Sequence, residues 1–426
     1  MNTLKTIEGT KDYFELDADR FAKIIQTAER IFSLHTYRPI HTPVFEATEL
    51  FARSIGAATD IVEKEMYTFT PGSDTITLRP EGTAGVIRAY IQHHFQQQSS
   101  LTKLWYYGAM FRRERPQKGR QRQFHQVGVE AIGSSSPLLD AEVIAMALML
   151  YHELGITGVQ TKVHSIGCQS CRPAYRENLR SKVSENLADY CKTCQGRYEK
   201  NLLRIFDCKN PTCKILTEPL PKAYQSLCET CSRHFAQLQE ALDAKNVSYI
   251  VDGALVRGLD YYTKTVFEFT HNALGSQDAI GGGGRYDGLV KELGGNDTPA
   301  VGFALGIERM LIAMEALKCC SCHIPLMVFG ISIGELAQKA MSGILMRLRA
   351  LGISCDMDFE GKSLKSQMRT ANSRNALYTI ILGDDELSRG EVVLKNMKEG
   401  GEQTAVSLPD LFDAAMKLFS IKNTSV

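Results

Sequence analysis

Apolar positions alternate along several stretches of this chain and fall at helical spacing along others. Residues 124–130, FHQVGVE, keep period two. As a strand they put Phe124, Gln126, Gly128 and Glu130 on one face and His125, Val127 and Val129 on the other. Residues 105–114 read the same way and place Arg112 and Glu114 on one face. Upstream, Phe21, Ile24, Ile25, Ala28, Ile31 and Phe32 follow helical spacing and predict an amphipathic helix ending near Tyr37. Pro39 and Pro43 exclude helix over residues 39–46 and suggest an edge or interface strand. Residues 75–78 predict a strand that runs into Arg79-Pro80-Glu81-Gly82-Thr83, with Thr83 capping a helix through Tyr90.

The texture changes after Gly167. Polar helical runs separate eight of the twelve cysteines, which predicts an insertion over residues 168–245 within a larger domain. Strand patterning returns at residues 249–256 and 265–269. A glycine-rich bend is expected at residues 281–284 and a long apolar helix at 299–317. Residues 318–325 form a plausible linker. Beyond it, buried strands at 326–331, 353–357 and 378–382 alternate with amphipathic helices at 335–351 and 363–376. That order argues a small α/β domain with a mixed sheet. The expected division is therefore 1–325, interrupted by 168–245, and 326–426. No fixed-period repeat or low-complexity tract is visible.

At 426 residues the chain exceeds one ordinary domain. Its net charge of +1 means that nucleic-acid binding must rest on local patches. The opening MNTLKTIEGT lacks the apolar core of a secretory signal. The longest apolar run, near residues 143–151, is too short to span a bilayer. A cytoplasmic protein without a membrane segment is the expectation, with cysteines as thiols or metal ligands and not disulfides.

The chemistry concentrates in a few places. Arg112, Arg113, Arg115, Lys118, Arg120 and Arg122 fall within one short loop, opposed only by Glu114, and the loop opens into the strand of residues 124–130. An aromatic plane, an amide, a gap and a carboxylate beside clustered guanidinium groups suit a nucleotide and a small cationic molecule together. A carboxylate buried there needs a partner. In residues 256–262, VRGLDYY, Arg257 precedes Tyr261 and Tyr262 and can aim a cation and two hydroxyls into a cleft; a surface turn is the plainer alternative. On the helix expected at 299–317, Gly302, Gly306 and Arg309 share one stripe, which allows either close helix packing or a ligand track. The run Gly281 to Gly284 is either a flexible loop or a floor for a flat substrate. Glu81, at a strand-to-helix turn with Gly82 and Thr83, can hold an ammonium group or serve as an ordinary capping carboxylate.

Cys168/Cys171, Cys191/Cys194 and Cys228/Cys231 are C-x-x-C pairs, and Cys208/Cys213 is a wider one. The first two pairs match a zinc spacing in which such pairs stand about 15–20 residues apart. Eight thiolates would serve two tetrahedral structural zinc sites, or else stay reduced and metal-free; spacing does not say which pairs combine.

Taken together, these segments resemble the histidyl-tRNA synthetases of bacterial type, a family of class II aminoacyl-tRNA synthetases, from about residue 5 to the C-terminus. The first helix with the Pro43 segment resembles class II motif 1. Residues 111–130 resemble motif 2, and residues 302–309 motif 3. Arg257-Gly258-Leu259-Asp260-Tyr261-Tyr262 and Gly283-Gly284-Arg285-Tyr286-Asp287-Gly288-Leu289 resemble the two histidine-specific motifs. The resemblance implies an α+β class II core, an antiparallel sheet flanked by helices, with a small helical insertion and a C-terminal α/β anticodon-binding domain. It implies a homodimer, ATP and L-histidine as substrates with Mg2+, and tRNA(His) as acceptor. Glu81, Gly82, Thr83, Gln126 and Glu130 would hold the histidine, helped by Arg112, Arg257, Tyr261 and Tyr262. Arg112, Glu114, Arg120, Phe124 and Arg309 would grip ATP, and Arg257, Arg112 and Arg309 would carry the catalytic charge.

One position departs from the family: Glu8 stands before Gly9-Thr10 where bacterial relatives often carry an arginine associated with the tRNA acceptor end. The cysteine-rich insertion varies within the family, so zinc is not implied by the resemblance. Two other classes compete. One is the family's non-catalytic paralogue, a regulatory subunit of ATP phosphoribosyltransferase, which typically lacks the motif 2 arginines and the terminal domain. The other is a zinc-dependent nucleic-acid-binding protein.

Overall fold

The computed structural model describes residues 3–56, 59, 61–275, 278–319, 325–398 and 401–419. Its strands are β1 (Arg38–Pro39), β2 (Phe45–Ala47), β3 (Tyr67–Phe69), β4 (Ile76–Leu78), β5 (Thr102–Phe111), β6 (Gln123–Ile132), β7 (Gln160–Ser165), β8 (Ile250–Val251), β9 (Thr263–Thr270), β10 (Ala279–Arg285) and β11 (Ala300–Gly306). β12 (Val328–Ile333), β13 (Cys355–Met357), β14 (Tyr378–Gly383), β15 (Glu391–Asn396) and β16 (Gln403–Ser407) follow. The helices are α1 (Glu15–Leu34), α2 (Thr48–Ile55), α3 (Thr83–Gln92), α4 (Pro137–Glu153), α5 (Arg172–Ser184), α6 (Lys192–Lys200), α7 (Pro211–Thr217), α8 (Glu229–Ala244), α9 (Leu289–Glu292) and α10 (Ile307–Ala316). In the C-terminal part they are α11 (Glu335–Ala350), α12 (Leu364–Ser373), α13 (Asp384–Arg389) and α14 (Leu411–Leu418).

An eight-stranded sheet in the order β1-β5-β6-β11-β10-β9-β7-β8 organises the unit Met1–Cys322. Its central pairs are antiparallel; only the short edge strands β1 and β8 pair in parallel. Period-two alternation explains its two faces. Val127, Val129, Val301, Phe303, Leu305, Phe267 and Phe269 point one way and pack with apolar residues of α1, α4, α8 and α10 in one continuous core. The other face carries Gln126, Gly128, Glu130, Gly302, Ala304, Gly306, Gly282 and Gly284 in adjoining register. That face is nearly stripped of side chains at its centre.

Several elements differ from expectation. Residues 299–317 are not one helix: β11 precedes α10, because Val301, Phe303 and Leu305 keep strand alternation and strand neighbours pair on both sides. The glycine run is not a bend but the central strand β10, paired with β9 and β11. β5 stops at Phe111, so Arg112 and Glu114 lie in the hairpin loop beyond it and do not share a strand face. Residues 39–46 divide between β1 and β2, the latter in a small sheet of order β2-β4-β3. Of residues 249–256, only Ile250 and Val251 are strand. α1 ends at Leu34, and Thr36 takes a positive φ of 64° before Tyr37. At α3 the N-cap is Gly82, and Thr83 is the first helical residue. The Glu81 carboxylate accepts the amides of Thr83 (2.7 Å) and Ala84 (2.8 Å), so Glu81 performs the capping assigned to Thr83.

The unit His323–Val426 holds a five-stranded sheet, β13-β12-β14-β15-β16, parallel over its first three strands and antiparallel after β14. Val328, Leu345, Ile380 and Leu411 belong to its own core. This is the mixed α/β arrangement expected for that part of the chain. Most of the expected linker, residues 320–324, lies outside the described residues.

Candidate active site

The site is built on the bare face of the large sheet, where long side chains lie flat on glycine backbone. A Cβ on Gly302 would sit 2.0 Å from the Glu130 Oε2, and one on Gly282 would sit 2.8 Å from the Arg257 guanidinium. Glycine at these positions leaves room for the acid and the cation.

At one end stands Glu130, only 1% exposed. A buried carboxylate must be satisfied, and three hydroxyls do so. Thr83 Oγ1 donates to Oε1 at 2.7 Å, Tyr106 OH donates to the same oxygen at 3.3 Å, and Tyr286 OH donates to Oε2. Burial still pushes the Glu130 carboxyl up to about 8; the hydroxyls from Tyr286, Thr83 and Tyr106 pull the other way, and the Glu81 charge adds to the rise. Burial also raises Glu81, against the two amides it accepts. Tyr261 and Tyr262 are buried alongside, with ring centroids 4.7 Å apart, and Tyr286 packs edge-on to Tyr261 at 5.6 Å. Two acids and four tyrosines thus surround one small polar chamber.

Gln126 lies along β6 toward the other end, paired with Gly108 and Gly306 and therefore free of bulky cross-strand neighbours. Its Oε1 is buried without a hydrogen-bond partner, as is Arg257 Nε. Such orphan buried polar atoms, an acceptor on Gln126 and a donor on Arg257, call for partners from outside the chain.

The cations come from three distant segments. Arg257 donates through NH1 to Glu268 at 2.6 Å. Burial is the largest influence and works against its charge, but Glu268, Tyr262, Tyr261 and Asp207 together outweigh it and hold its pKa above the ordinary value. Arg309 donates to Gly119 O at 3.1 Å and to Ala279 O. Burial lowers its pKa, and repulsion from Arg120, and less so from Arg112, lowers it further. Arg309 contacts β10 at Ala279 and Arg257 contacts it at Gly282. Three residues along a strand separate those anchor points by about 10 Å. Arg112 donates to Pro80 O at 3.0 Å and lies 5.2 Å over the Phe124 ring. Glu114 bridges Arg120 at 3.0 Å and Arg112 at 3.9 Å. Arg257 and Arg309 therefore lie against the glycine-rich strand β10, while Arg112 stacks over Phe124 on the adjoining strand β6.

The opposite side of β6 holds Arg309 in place. Glu308 accepts the His125 amide at 2.9 Å and the Tyr13 hydroxyl at 2.9 Å, and it lies 2.8 Å from His125 Nδ1. These bonds pin the first turn of α10 to the sheet, and Arg309 is the next residue.

Known proteins point the same way. The family model described as histidyl-tRNA synthetase matches residues 9–310, and that of the anticodon binding domain matches residues 327–418. The chain belongs to the histidyl-tRNA synthetase family. A histidine--tRNA ligase of Halothermothrix orenii is 47% identical over 418 residues, covering 97% of this chain and 99% of that protein. Another from Syntrophotalea carbinolica is 45% identical, covering 97% and 99%. The crystal structure of apo S. aureus histidyl-tRNA synthetase is 35% identical and matches with a TM-score of 0.81 over 97% of this chain and 99% of that one.

Gln126, Phe124 and Glu130 share one face of β6, Arg257 and Tyr262 lie over the glycines of β10, and Glu114 and Arg120 pair in the hairpin loop beyond β5. Arg309 reaches β10 by a route different from the one expected: Gly306 ends a strand, and Arg309 follows on the first turn of a helix over it. Three residues escaped the sequence reading. Tyr286 lies in the Gly283–Leu289 motif, where nothing in the residue pattern marks its hydroxyl for Glu130. Tyr106 was visible only as an aromatic on β5, two strand positions from Gly108. Glu268 alternates outward on β9, and that alternation was the available signal. The cysteines assemble differently from the zinc spacing of neighbouring pairs. Cys168 and Cys171 meet Cys228 and Cys231, while Cys191 and Cys194 meet Cys208 and Cys213.

Proposed function

We infer that the protein ligates L-histidine to tRNA(His) in two steps, through a histidyl-adenylate, releasing pyrophosphate and AMP. The observation that carries this is the division of one glycine floor between a cationic end and a buried acidic, tyrosine-lined end. In the first step the histidine carboxylate attacks the α-phosphate of ATP. Nucleophile and triphosphate are both anionic, so positioning and charge screening supply most of the catalysis. Arg257 holds the α-phosphate and Arg309 and Arg112 the rest of the triphosphate, while Phe124 stacks on adenine. Arg120 and Glu114 close the loop over the nucleotide. Glu114 is the loop carboxylate that would hold a Mg2+ ion accompanying ATP, and such an ion would add screening of the phosphate charge.

Histidine lies toward the other end. Glu81, with Gly82 and Thr83 at the start of α3, and the orphan Gln126 Oε1 take its ammonium group. Glu130 and the Tyr261–Tyr262 pair take the imidazole, which offers one donor and one acceptor when neutral. An apolar isostere would strand those buried groups, and such sites discriminate by about four orders of magnitude. In the second step a ribose hydroxyl of the terminal adenosine attacks the adenylate.

The domains follow this reading: a catalytic core over 1–325, an insertion over 168–245 and an anticodon-binding domain over 326–426. The protein works in the cytoplasm as a homodimer. The exposed Val44, Phe45 and Phe69 around the small sheet supply apolar surface for the dimer contact. Among the described residues no helix is long and apolar enough to cross a membrane. Structural zinc would staple the insertion and takes no part in the chemical steps.

The test is AMP formation by the purified protein. The reading predicts AMP only when histidine, ATP and tRNA are all present. A regulatory subunit would form none, and that result would overturn the assignment. The matching anticodon domain and the motif 2 arginines favour the enzyme.

A further inference from the structure

The two cysteine sets have the geometry of single-ion sites. In each, the four Sγ atoms lie within 4.8 Å of one another. The Sγ–Sγ separations are 3.7 Å for Cys168–Cys171, 3.9 Å for Cys168–Cys228 and Cys171–Cys231, and 3.8 Å for Cys191–Cys208. A tetrahedron with metal–sulfur bonds of about 2.3 Å has edges of about 3.8 Å. A disulfide needs about 2.05 Å. The spacing is also too tight for four ligands placed around a cubane cluster.

The backbone supports the same reading. Cys171, Cys191 and Cys228 are the N-caps of α5, α6 and α8, and Cys194 and Cys231 fall in the first turns that follow. Helix starts offer unpaired amides and partial positive charge, which stabilise thiolates. The Cys168 amide donates to Cys171 Sγ at 3.1 Å and the Cys191 amide to Cys213 Sγ at 3.3 Å. Gly167 has φ +72°, and a Cβ there would sit 2.5 Å from Cys171 Sγ.

We propose that the insertion holds two tetrahedral Zn2+ ions, one on Cys168, Cys171, Cys228 and Cys231 and one on Cys191, Cys194, Cys208 and Cys213, and that the first clamps the insertion onto the Arg257 segment. Binding converts four thiols to thiolates and releases their protons. The first set joins the entry of the insertion to the start of its last helix, α8, with Cys168 and Cys228 60 residues apart in sequence. Its outcome is local: Arg172, next to Cys171, donates to Tyr262 O, and Asn201 donates to Asp260 Oδ1 at 3.1 Å. The second set lies inside the insertion's small core, where Cys194, Cys208 and Cys213 pack with Leu179, Leu202 and Ile205. A core of that size needs a staple.

The two-site assignment is independent of the ATP and histidine roles, because metal content is read without substrate. The effect of the clamp on histidine binding rests on the proposed function, and its proteolysis readout does not. Full-length protein purified without chelator should carry about two zinc ions per chain. The double variants Cys168→Ser/Cys231→Ser and Cys191→Ser/Cys213→Ser should each carry about one. If a variant fails to fold, Co2+ replacement of the wild-type metal should give thiolate-to-cobalt charge-transfer absorption for about eight thiolates per chain. Chelation should raise the KM for histidine in pyrophosphate exchange about tenfold and speed proteolysis within 168–245, with both effects reversed by added Zn2+. Wild-type protein with fewer than about two ions and freely reactive thiols overturns the site assignment. Unchanged histidine KM and proteolysis in metal-stripped protein overturn the clamp.

Discussion

At the scale of single residues the account rests on Glu130. Its carboxylate is buried, supported by three hydroxyls and placed beside Glu81, so its charge is costly until a donor arrives. Glu130→Ala should weaken histidine binding about a hundredfold while ATP binding stays within about threefold, measured by calorimetry. Equal losses would place Glu130 outside amino-acid recognition. Its titration sets a second expectation. The carboxyl titrates at about 8 in the folded protein against 4.5 ordinarily. Below the lower value both states hold the proton and the contribution is complete. As pH rises through the window the unfolded state releases its proton first, and the contribution is lost by about pH 8. Urea denaturation of the ligand-free protein should therefore show stability falling across that range, with a shallower fall in Glu130→Gln. Glu81, raised in the same direction, retains part of the slope.

At the scale of elements, the glycines decide the site. Gly302→Ala would place a Cβ 2.0 Å from Glu130 Oε2 and 2.3 Å from Val129 O, a clash that includes backbone. Its expected cost is about 1–3 kcal/mol with impaired histidine binding. Gly343→Ala is the control: a Cβ there, within α11, meets nothing within 4 Å, so it should be neutral or stabilising by up to about 1 kcal/mol in thermal unfolding. These strands also mark where the sequence was hard to read. The 124–130 alternation and the terminal α/β texture were legible because side-chain period reports the buried face. β10 was not, since four glycines carry no period and only pairing with β9 and β11 makes them a strand. β11 and α10 merged into one apolar run because Gly306 is a weak boundary signal between two buried elements. Cysteine pairing was illegible because the insertion folds its ends together, so neighbours in sequence are not partners in space.

At the scale of the whole molecule, the chemistry belongs to one unit and the anticodon family match to the other. Each unit has its own core. A chain ending at residue 325 should keep histidine-dependent pyrophosphate exchange within about threefold and lose about a hundredfold or more in kcat/KM for tRNA charging. Loss of exchange on truncation would tie adenylate formation to the C-terminal unit.

The central claim is that Arg257, Arg112 and Arg309 neutralise a triphosphate beside a histidine-selective chamber. Histidine-dependent ATP–pyrophosphate exchange by wild type and Arg257→Ala tests it most directly. The account predicts exchange with histidine and none with phenylalanine, and a fall of about a thousandfold in a variant whose thermal unfolding is cooperative and near wild type. Near-wild-type exchange by that folded variant would contradict it.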